Sequence, residues 1–353
     1  MNNKEIDSLS FWFHVTDNCN LTCDYCYIST LETKKNMQDI VIYQFLDKLQ
    51  ETLKLYPSIK TITIRLAGGE PLTAFHKWKK SIEILINKLK KNKLTLQIRI
   101  LTNLTILTNE MIIFLKNHNI ILGVSLDGLN KFHDKYRKFE NSKGSFLTVE
   151  KNIIELKKHD ILFAVLVTIS NDNIDGIFNL VKFLLDNNIT FRLADAKGNY
   201  IDRVKIQEVL DKCYELMDTY IEKGFSAQYK HVLCDLNIIE PSATPCSMGV
   251  NACAIYIDGS IYFCHSQFGK NNSLGSLFDK EDIVTVLQKG MKFHSLSEEC
   301  QSCEFVSICA GGCPLYRTKD NKSPMCNIFK SSIPKIQKMI WKEDQLDKVL
   351  END

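Results

Sequence analysis

The sequence predicts an α/β fold in which six parallel strands alternate with covering helices, followed by a smaller cysteine-rich region. Between Phe11 and Asp195, short β-rich runs alternate with longer stretches in which apolar residues recur every three or four positions. Strict alternation of this kind favours a parallel sheet with helices on its faces. A chain of 353 residues with 44% hydrophobic content exceeds an average domain, so we expect one large core with an appendage.

Each strand and helix is predicted from its own pattern of apolar residues. The predicted strands are Phe11–Thr16, Thr61–Ala67, Leu94–Leu101, Ile121–Leu126, Ile161–Thr168 and Thr190–Ala194. The predicted helices are Asp39–Leu55, Lys77–Lys90, Asn109–Asn117, Phe146–Lys157 and Ile174–Asn187, with a linker helix from Asp202 to about Lys223 and a closing helix over Asn327 to Leu350. We therefore expect a strand-helix domain over residues 1–200, a helical linker over 201–240 and a cysteine-rich domain over 241–353.

Charge and hydropathy exclude several classes of partner. The net charge of +2 comes from 44 basic and 42 acidic residues without long runs, which leaves no electrostatic footprint for nucleic acid or an acidic membrane surface. The longest apolar run, about Ile161 to Ile169, is far shorter than the roughly 20 residues that cross a bilayer. Met1 to Ser10 is largely polar, unlike a signal peptide. We expect a cytoplasmic protein without nucleic-acid or membrane partners.

Thirteen cysteines are many for such a chain. Disulfides require an oxidising compartment and usually occur in small secreted domains, and neither condition fits this sequence. Ten of the cysteines fall into two spaced groups, one near the N-terminus and one in the last third. Grouped cysteines in a reducing compartment indicate metal binding. Cys213 and Cys234 lie outside both groups and are predicted to belong to the core.

The first group, Cys19, Cys23 and Cys26, has the spacing Cys-x3-Cys-x2-Cys directly after the first predicted strand. Three thiolates on one loop can hold three irons of a cubane cluster and leave the fourth iron open to a small molecule. The alternative is a zinc site, but structural zinc needs four ligands and the only other nearby candidate, His14, lies inside the strand. An iron-sulfur cluster is therefore favoured.

This loop resembles the signature of the radical S-adenosylmethionine (SAM) superfamily, and Gly68-Gly69-Glu70 resembles the second motif of that superfamily. The glycine pair follows the second predicted strand, about forty residues after the cysteine loop. The resemblance implies a partial (β/α)6 TIM-like barrel whose open iron chelates the amino and carboxylate groups of S-adenosylmethionine. It also implies a close approach of the glycine backbone to the amino group, which a β-carbon would obstruct.

The resemblance extends to further cofactor contacts. It implies that Tyr25 lies near the adenine, that Ser125 and Arg137 bind ribose and carboxylate, and that Leu193 packs on the adenine. The alternatives are a core role for Leu193 and a solvated helix charge for Arg137. The full set of predicted cofactor-binding residues is Tyr25, Gly68, Gly69, Glu70, Asn103, Ser125, Asp127, Arg137 and Leu193. Asn103 follows a family-like threonine, but Leu104 occupies the usual glycine position, which questions the local turn geometry.

The second group resembles the seven-cysteine pattern of the SPASM extension that follows many radical SAM barrels. Its spacing is Cys246-x12-Gly-x4-Cys264, then Cys-x2-Cys-x5-Cys-x3-Cys, then a last cysteine. The resemblance assigns Cys300, Cys303, Cys309 and Cys326 to an outer 4Fe-4S cluster, and Cys246, Cys264 and Cys313 to an inner one. Cys253 is favoured as the fourth ligand of the inner cluster, and its alternative is a small buried apolar residue. A zinc-stabilised module is the alternative for the whole region.

A β-hairpin is predicted over Ile255 to Cys264, with an Asp-Gly turn that delivers Cys264 to its cluster. The residue after Cys264 is His265, where the sulfatase-maturing relatives of the family place an aspartate that acts as base. His265 is the candidate catalytic base, and the alternative is a surface histidine hydrogen-bonded beside a cluster.

The resemblance implies a reaction that begins with reductive cleavage of S-adenosylmethionine and hydrogen abstraction by a 5'-deoxyadenosyl radical. Auxiliary clusters can accept the leftover electron, so oxidation of the substrate is favoured. SPASM enzymes act mostly on peptides, and His265 favours cross-linking of a ribosomally made precursor peptide, as a cyclophane C–C or cysteine thioether link, over formylglycine formation in a sulfatase. A third possibility, a non-catalytic iron-sulfur carrier, is opposed by the open iron site.

The predicted cofactors are three 4Fe-4S clusters and S-adenosylmethionine. The predicted partners are a precursor peptide and a low-potential electron donor such as ferredoxin or flavodoxin. A leader-binding domain of about 80 residues does not fit in the ten residues before the first strand or in the closing helix. We expect the peptide to dock on the barrel or SPASM surface, or to arrive with a separate leader-binding protein.

Overall fold

The structure, a computed structural model, describes residues 6–26, 28, 34–91, 94–198, 200–223, 233 and 235–350, with the side chains of the last helix described to residue 345. The chain divides into two compact units. The first consists of Met1–Val124, Tyr136–Phe163 and Ser247–Phe293. The second consists of Ser125–Lys135, Ala164–Cys246 and His294–Asp353. Cys234 lies outside the described residues.

Strands and helices alternate through much of the chain. The strands are β1 (Ser8–Thr16), β2 (Leu21–Thr22), β3 (Thr61–Gly68), β4 (Thr95–Thr102), β5 (Ile121–Ser125), β6 (Lys138–Phe139), β7 (Phe163–Ile169), β8 (Phe191–Asp195), β9 (Ala252–Ile255), β10 (Ser260–Tyr262) and β11 (Gly275–Ser276). The α-helices are α1 (Asp39–Leu55), α2 (Phe75–Lys91), α3 (Asn109–Asn117), α4 (Lys131–Asp134), α5 (Phe146–Lys158), α6 (Ile174–Asp186), α7 (Arg203–Glu222), α8 (Ile283–Gln288), α9 (Glu298–Gln301), α10 (Val306–Cys309) and α11 (Cys326–Leu350). Short 3-10 helices cover Pro71–Ala74, His265–Gln267 and Lys289–His294.

The predicted α/β class is confirmed. The six predicted strands are β1, β3, β4, β5, β7 and β8, and their ends differ from the prediction by at most three residues. The predicted helices are found as α1, α2, α3, α5, α6, α7 and α11 with similar agreement. In the described part of the chain, no helix is long and apolar enough to cross a membrane.

The sheet of the first unit has the strand order β11-β10-β9-β1-β3-β4-β5. Strands β9, β1, β3, β4 and β5 run parallel, and the short strands β10 and β11 are antiparallel additions at one edge. The predicted hairpin over Ile255 to Cys264 exists as β9 and β10. Its pairing with β1 was not predicted, because β9 has four buried residues and lacks an alternating pattern. In the second unit, β7 and β8 form a parallel pair.

The two faces of β1 have different neighbours. Phe11 and Phe13 point toward α1, where each ring centroid lies 4.8 Å from that of Phe45 in an edge-to-face arrangement. Trp12 and His14 alternate with them and point to the opposite face of the sheet. All three phenylalanines are fully buried, so this contact anchors α1 to the sheet through apolar surface removed from water.

The end of β3 lies unusually close to the end of β1. The amide of Gly69 donates to the carbonyl oxygen of Thr16 at 2.7 Å, and the amide of Glu70 donates to that of Asn18 at 2.7 Å. A β-carbon on Gly69 would lie 2.2 Å from the carbonyl oxygen of Asn18, and one on Gly68 would lie 2.3 Å from that of Thr16. Only glycine fits at both positions, since the atoms in the way belong to the backbone.

Glu70 ties the end of β3 to the end of β4. Its carboxylate accepts hydrogen bonds from the amide of Leu72 at 3.0 Å, the hydroxyl of Thr102 at 2.7 Å and the amide of Asn103 at 2.5 Å. The side chain is almost completely buried. Burial raises the pKa of Glu70 from 4.5 to about 7, despite the opposing effect of the hydrogen bonds that it accepts.

Gly69→Ala tests the close approach of β3 to β1. We expect the free energy of unfolding to fall by about 1–3 kcal/mol, because the new β-carbon forces the backbone of Asn18 to move. Urea unfolding of the metal-free chain measures this change. The matched control is Gly275→Ala, whose β-carbon would meet only side-chain atoms at 3.1 Å or more, and we expect a smaller loss. Equal losses in the two variants would contradict the argument.

Glu70→Gln tests the raised pKa of the buried carboxyl. Because the folded state binds this proton more tightly than the unfolded state, the free energy of unfolding should fall as pH rises from about 4.5 to about 7. The contribution of Glu70 to this fall is about 3 kcal/mol. We expect the glutamine variant, which cannot titrate, to show a shallower pH dependence in urea unfolding of the metal-free chain. Identical slopes for both proteins would show that Glu70 retains an ordinary pKa.

Candidate functional site

The three cysteines of the first motif lie on the loop that follows β1. Two contacts hold this loop. The close approach of β3 fixes its start, and β2, between Cys19 and Cys23, pairs antiparallel with β6. The amide of Cys26 donates to the carbonyl of Cys23 at 3.0 Å, which closes a tight turn between these two predicted ligands. Each of the three cysteines is partly accessible, as a ligand to an incoming cluster must be.

Cys19 is surrounded by polar groups from two other strand ends. Its Sγ accepts from the amide of Leu21 at 3.4 Å and lies 3.8 Å from the side-chain nitrogen of Asn103. That amide group also donates to the side chain of Asn20 at 3.0 Å, so Asn103 positions the cysteine loop. Burial raises the pKa of the Cys19 thiol to about 11, with a smaller effect from the Glu70 carboxylate. A bound metal would have to displace this proton, since the thiolate is the ligand.

Leu104 keeps the backbone conformation that a glycine would have at this position. Its φ is 53°, in the left-handed region, and its side chain is fully buried. The amide of Leu104 donates to the Thr102 hydroxyl at 2.8 Å, and its carbonyl accepts from Asn152 at 2.9 Å. The turn is therefore preserved although leucine replaces the usual glycine. The two hydrogen bonds stabilise the left-handed conformation of Leu104 against the steric cost of its side chain.

Arg137 and Tyr25 lie together in the first unit. The guanidinium carbon of Arg137 lies 5.5 Å from the centroid of the Tyr25 ring, within cation-π distance. Arg137 is only 9% exposed, so it is not a solvated helix charge. Its positive charge acts on both Cys19 and Glu70. A buried cation and a buried carboxyl beside the cysteine loop complement the charges of an α-amino acid group.

Ser125, Asp127 and Leu193 belong to the second unit. Asp127 is fully buried, and its carboxylate accepts from the amide of Thr168 at 2.8 Å, while its carbonyl accepts from Asn173 at 2.8 Å. Through these hydrogen bonds Asp127 holds Thr168, near the end of β7, and Asn173 in place. Leu193 is fully buried in β8 and lines a small cavity with Ile169 and other apolar residues. Contacts of these three residues with S-adenosylmethionine remain predictions.

Four of the predicted auxiliary-cluster ligands meet in the second unit. Cys300, Cys303, Cys309 and Cys326 line one cavity, together with apolar side chains that include Val306. These are the four cysteines assigned to the outer cluster, and thiolates within an apolar wall suit an iron-sulfur cluster. Cys300, Cys303 and Cys309 are close together in the sequence, whereas Cys326 reaches the same cavity through the tertiary fold.

Cys264 and His265 lie in the first unit, and Phe263 separates them from the end of β10. The Nδ1 of His265 is 3.6 Å from the Sγ of Cys264, and its ring stacks on Trp12 with centroids 4.0 Å apart and an interplanar angle of 12°. Burial raises the pKa of the Cys264 thiol, but His265 and Ser266 outweigh this effect and lower it to about 6. His265 is half-buried and stacks on the face of β1 that carries Trp12.

Cys253 lies in the middle of β9 and is fully buried. It pairs in parallel register with Phe11, whose ring faces α1, whereas its neighbour Ala254 packs on the face that carries Trp12. Burial raises the pKa of the Cys253 thiol to about 12. Because His265 stacks on Trp12, this register places Cys253 and the residue after Cys264 on opposite faces of β1 and β9. The placement favours the alternative for Cys253, a small buried apolar residue, and its ligation remains a prediction. Cys213, predicted to be core, is fully buried in α7.

A buried polar network joins β1 to the hairpin, and the sequence did not reveal it. The Nε2 of His14 lies 2.8 Å from a carboxylate oxygen of Asp17, and the Tyr256 hydroxyl donates to the same carboxylate at 3.0 Å. His14 and the carboxylate of Asp17 are fully buried. Asp17 and Tyr256 are 239 residues apart, so no local spacing could have found the pair.

Two aspartates of the second unit, Asp195 and Asp235, share one lysine as their partner. The Nζ of Lys197 lies 2.5 Å from a carboxylate oxygen of Asp195 and also bonds to Asp235. Although burial opposes it, the charges of the two carboxylates raise the pKa of Lys197. Both aspartates are therefore held as partners of a cation at the end of β8, which makes them less suited than His265 to accept a proton.

A sequence profile of the Radical SAM superfamily matches residues 13–184. The cysteine-type anaerobic sulfatase-maturating enzyme of Clostridium novyi is 23% identical over an alignment that covers 91% of this chain and 92% of that enzyme. An uncharacterized protein of Methanocaldococcus jannaschii is 30% identical, with 76% of this chain and 88% of that protein covered.

Two solved structures share the fold. Native anSMEcpe with bound AdoMet and Kp18Cys peptide superposes with a TM-score of 0.78 at 18% identity, covering 98% of this chain and 100% of that one. Streptococcus suis SuiB bound to the precursor peptide SuiA superposes with a TM-score of 0.63 at 18% identity, covering 90% and 74%. Because the profile spans both the cysteine loop after β1 and the glycine pair that closes on it, the chain belongs to the radical SAM superfamily, whose enzymes use a 4Fe-4S cluster and S-adenosylmethionine.

Proposed function

We propose that this radical SAM enzyme abstracts a hydrogen atom from a ribosomally synthesised precursor peptide and installs an oxidative cross-link, a cyclophane C–C bond or a cysteine thioether. The observation that carries the choice of reaction is His265, which stands directly after Cys264 and is stacked on Trp12. A peptide substrate is supported by the solved relatives, since anSMEcpe holds the Kp18Cys peptide and SuiB holds SuiA.

The residues of the first unit would bind the cofactors in complementary roles. Cys19, Cys23 and Cys26 would hold the cluster, and the buried carboxyl of Glu70 and the cation of Arg137 would bind the amino and carboxylate groups of S-adenosylmethionine. When bound, the two cofactors supply the 5'-deoxyadenosyl radical. The side chains around them orient the methionine group and exclude water. Tyr25, stacked near Arg137, would lie beside the adenine.

The remaining predicted contacts complete this assignment. Gly68 and Gly69 would let the backbone approach the amino group, and Asn103 positions the loop that carries Cys19. Ser125 would bind the ribose and Leu193 the adenine. Asp127 would act through the strand ends that it holds.

Two auxiliary 4Fe-4S clusters would accept the electron that substrate oxidation releases. The outer cluster is assigned to the four cysteines of the shared cavity, Cys300, Cys303, Cys309 and Cys326. The inner cluster is assigned to Cys246, Cys264 and Cys313. Cys253 is the predicted fourth ligand, although its full burial in β9 argues against ligation.

Formylglycine formation in a sulfatase is the second candidate. It is favoured by the likeness to the Clostridium novyi enzyme, which extends over 92% of that enzyme. The residue after Cys264 argues against formylglycine formation, because it is His265 and not the aspartate of the sulfatase-maturing relatives. A carrier of electrons without catalysis is the third candidate, and the three-cysteine loop with its glycine pair opposes it because a carrier needs no open iron.

The proposal also covers the partners of the protein, its location and its domain boundaries. A low-potential donor such as ferredoxin or flavodoxin would reduce the first cluster, and a separate leader-binding protein would deliver the peptide if it does not dock directly. A cytoplasmic location suits oxygen-sensitive clusters. The barrel domain is assigned to residues 1–200, which contain the profile match, and the linker and SPASM domain to 201–240 and 241–353.

The number of clusters is tested by iron analysis. We expect the anaerobically reconstituted protein to bind about twelve irons, as three cubane clusters. Replacing Cys19, Cys23 and Cys26 together with alanine should remove about a third of the iron and abolish deoxyadenosine release. Cys213→Ala, at a buried position in α7, is the control and should retain both.

About four irons, or stoichiometric zinc, in the unmodified protein would contradict the SPASM assignment. Cleavage of S-adenosylmethionine by the triple variant would contradict the location of the radical site.

His265→Ala tests the proposed base. If the oxidised substrate must lose a proton near the cluster, deoxyadenosine release should persist while modified peptide falls by about 100-fold or more. Mass spectrometry of a co-expressed precursor peptide, which loses one pair of hydrogens per cross-link, measures the product. His76→Ala removes an exposed histidine and should change neither step.

Loss of both products together would instead assign His265 a role in the fold or the cluster. Unchanged peptide modification would remove it from the catalytic residues. His265→Asp is the sharper variant, because it restores the residue of the sulfatase-maturing relatives. Formylglycine formation by that variant, or by the unmodified protein, on a sulfatase peptide would reverse the ranking of the two reactions.

A further inference from the structure

The turn after α10 has three successive residues in the left-handed region. Ala310, Gly311 and Gly312 have φ values of 45°, 74° and 68°. The helical Cys309 followed by the left-handed Ala310 gives the αR-αL order in which successive backbone N–H groups form a concavity for anions, including iron-sulfur clusters. Glycine adopts this conformation at little cost, but Ala310 does so against steric hindrance. The turn connects Cys309, assigned to the outer cluster, with Cys313, assigned to the inner one.

The same turn is closed onto Cys309 by its backbone. The amide of Gly312 donates to the carbonyl oxygen of Cys309 at 2.9 Å, and Gly311 lines the same cavity as Cys309. The turn therefore fixes the backbone that carries the Cys309 thiol.

The carbonyl groups of the same turn face Arg317. Its Nη2 donates to the carbonyl oxygen of Ala310 at 2.9 Å and to that of Gly312 at 3.3 Å, and its Nε donates to that of Gly311 at 3.1 Å. Its Nη1 donates to the carbonyl of Ser295. The guanidinium has five N–H donors in a rigid fork, and most of them bond to backbone carbonyls in this turn and beside it.

One peptide group links the guanidinium directly to Cys309. The carbonyl of Gly311 accepts from the Nε of Arg317, and the amide of the same peptide group, on Gly312, donates to the carbonyl oxygen of Cys309. Hydrogen bonds in such a chain polarise one another, so the positive charge strengthens the bond that holds Cys309.

The guanidinium charge also interacts with four predicted ligands of the second unit, the thiols of Cys300, Cys309, Cys313 and Cys246. It is half-buried, so water screens this interaction only in part.

We propose that Arg317 is a positioning residue for the outer auxiliary cluster: through the peptide groups of 310–312 it fixes Cys309 and raises the reduction potential of that cluster. The inference rests on the proposed function, which takes Cys309 as a ligand of the outer cluster. A nearby cation stabilises the reduced cluster, which is more negative than the oxidised one. Arg317 thus makes the outer cluster the better electron acceptor.

The test compares Arg317→Gln and Arg317→Lys in full-length protein whose Cys19, Cys23 and Cys26 are alanine, so that EPR signals come from the auxiliary clusters alone. EPR-monitored redox titration measures their midpoint potentials. We expect the potential of one auxiliary cluster to become more negative in the glutamine variant. The lysine variant, which keeps the charge but not the fork, should shift less.

The matched control is Arg203→Gln. Arg203 lines the same surface cavity as Arg317, so this variant removes an equal charge without touching the turn of 310–312, and it should leave the potentials unchanged. Loss of about four irons in the glutamine variant alone also supports the role, since one cubane would then lack its ligand turn.

Unchanged potentials in the glutamine variant, equal shifts in Arg203→Gln, or loss of all auxiliary iron from both Arg317 variants would overturn the inference. Absence of auxiliary iron from the parent protein would instead refute the proposed function, so the two failures are distinguishable.

Discussion

The close approach of the Gly68–Gly69 backbone to the end of β1 is the constraint on which the first unit depends. The amide of Gly69 bonds to Thr16 and the amide of Glu70 bonds to Asn18, so the loop that carries Cys19 starts from a fixed backbone position. The contact leaves no space for a β-carbon at either glycine. The cysteine loop is therefore placed by main-chain hydrogen bonds, and metal binding needs little rearrangement of its start.

Two buried carboxyl groups reinforce this placement. Glu70 collects donors from the ends of β3 and β4, and Asp17 collects donors from His14 and Tyr256. Removing a carboxylate from water is costly, and the hydrogen bonds that Glu70 accepts offset this cost only in part, since burial still raises its pKa. The cysteine loop thus lies between two buried polar networks, one that reaches β4 and one that reaches the hairpin of Cys264.

In the second unit, Cys300 and Cys309 lie on four-residue helices, Cys303 lies between them, and Cys326 is the first residue of α11. Apolar side chains form the cavity of the outer-cluster cysteines, and the hydrogen bonds of Arg317 hold the turn between Cys309 and Cys313. A structural metal contributes its binding energy to folding, and preformed turns reduce the ordering that this energy must supply.

Apolar periodicity predicted the six strands and their helices, and cysteine spacing predicted the cluster motifs, because both patterns act over a few residues. The tertiary structure alone decided that β9 lies beside β1, that Cys253 faces α1 and that His265 stacks on Trp12. It also brought Tyr256 to Asp17 and Arg317 to the carbonyls of a strained turn. These contacts join residues whose separation or backbone conformation has no periodic signal, so they arise only when the strands pair and the turns close.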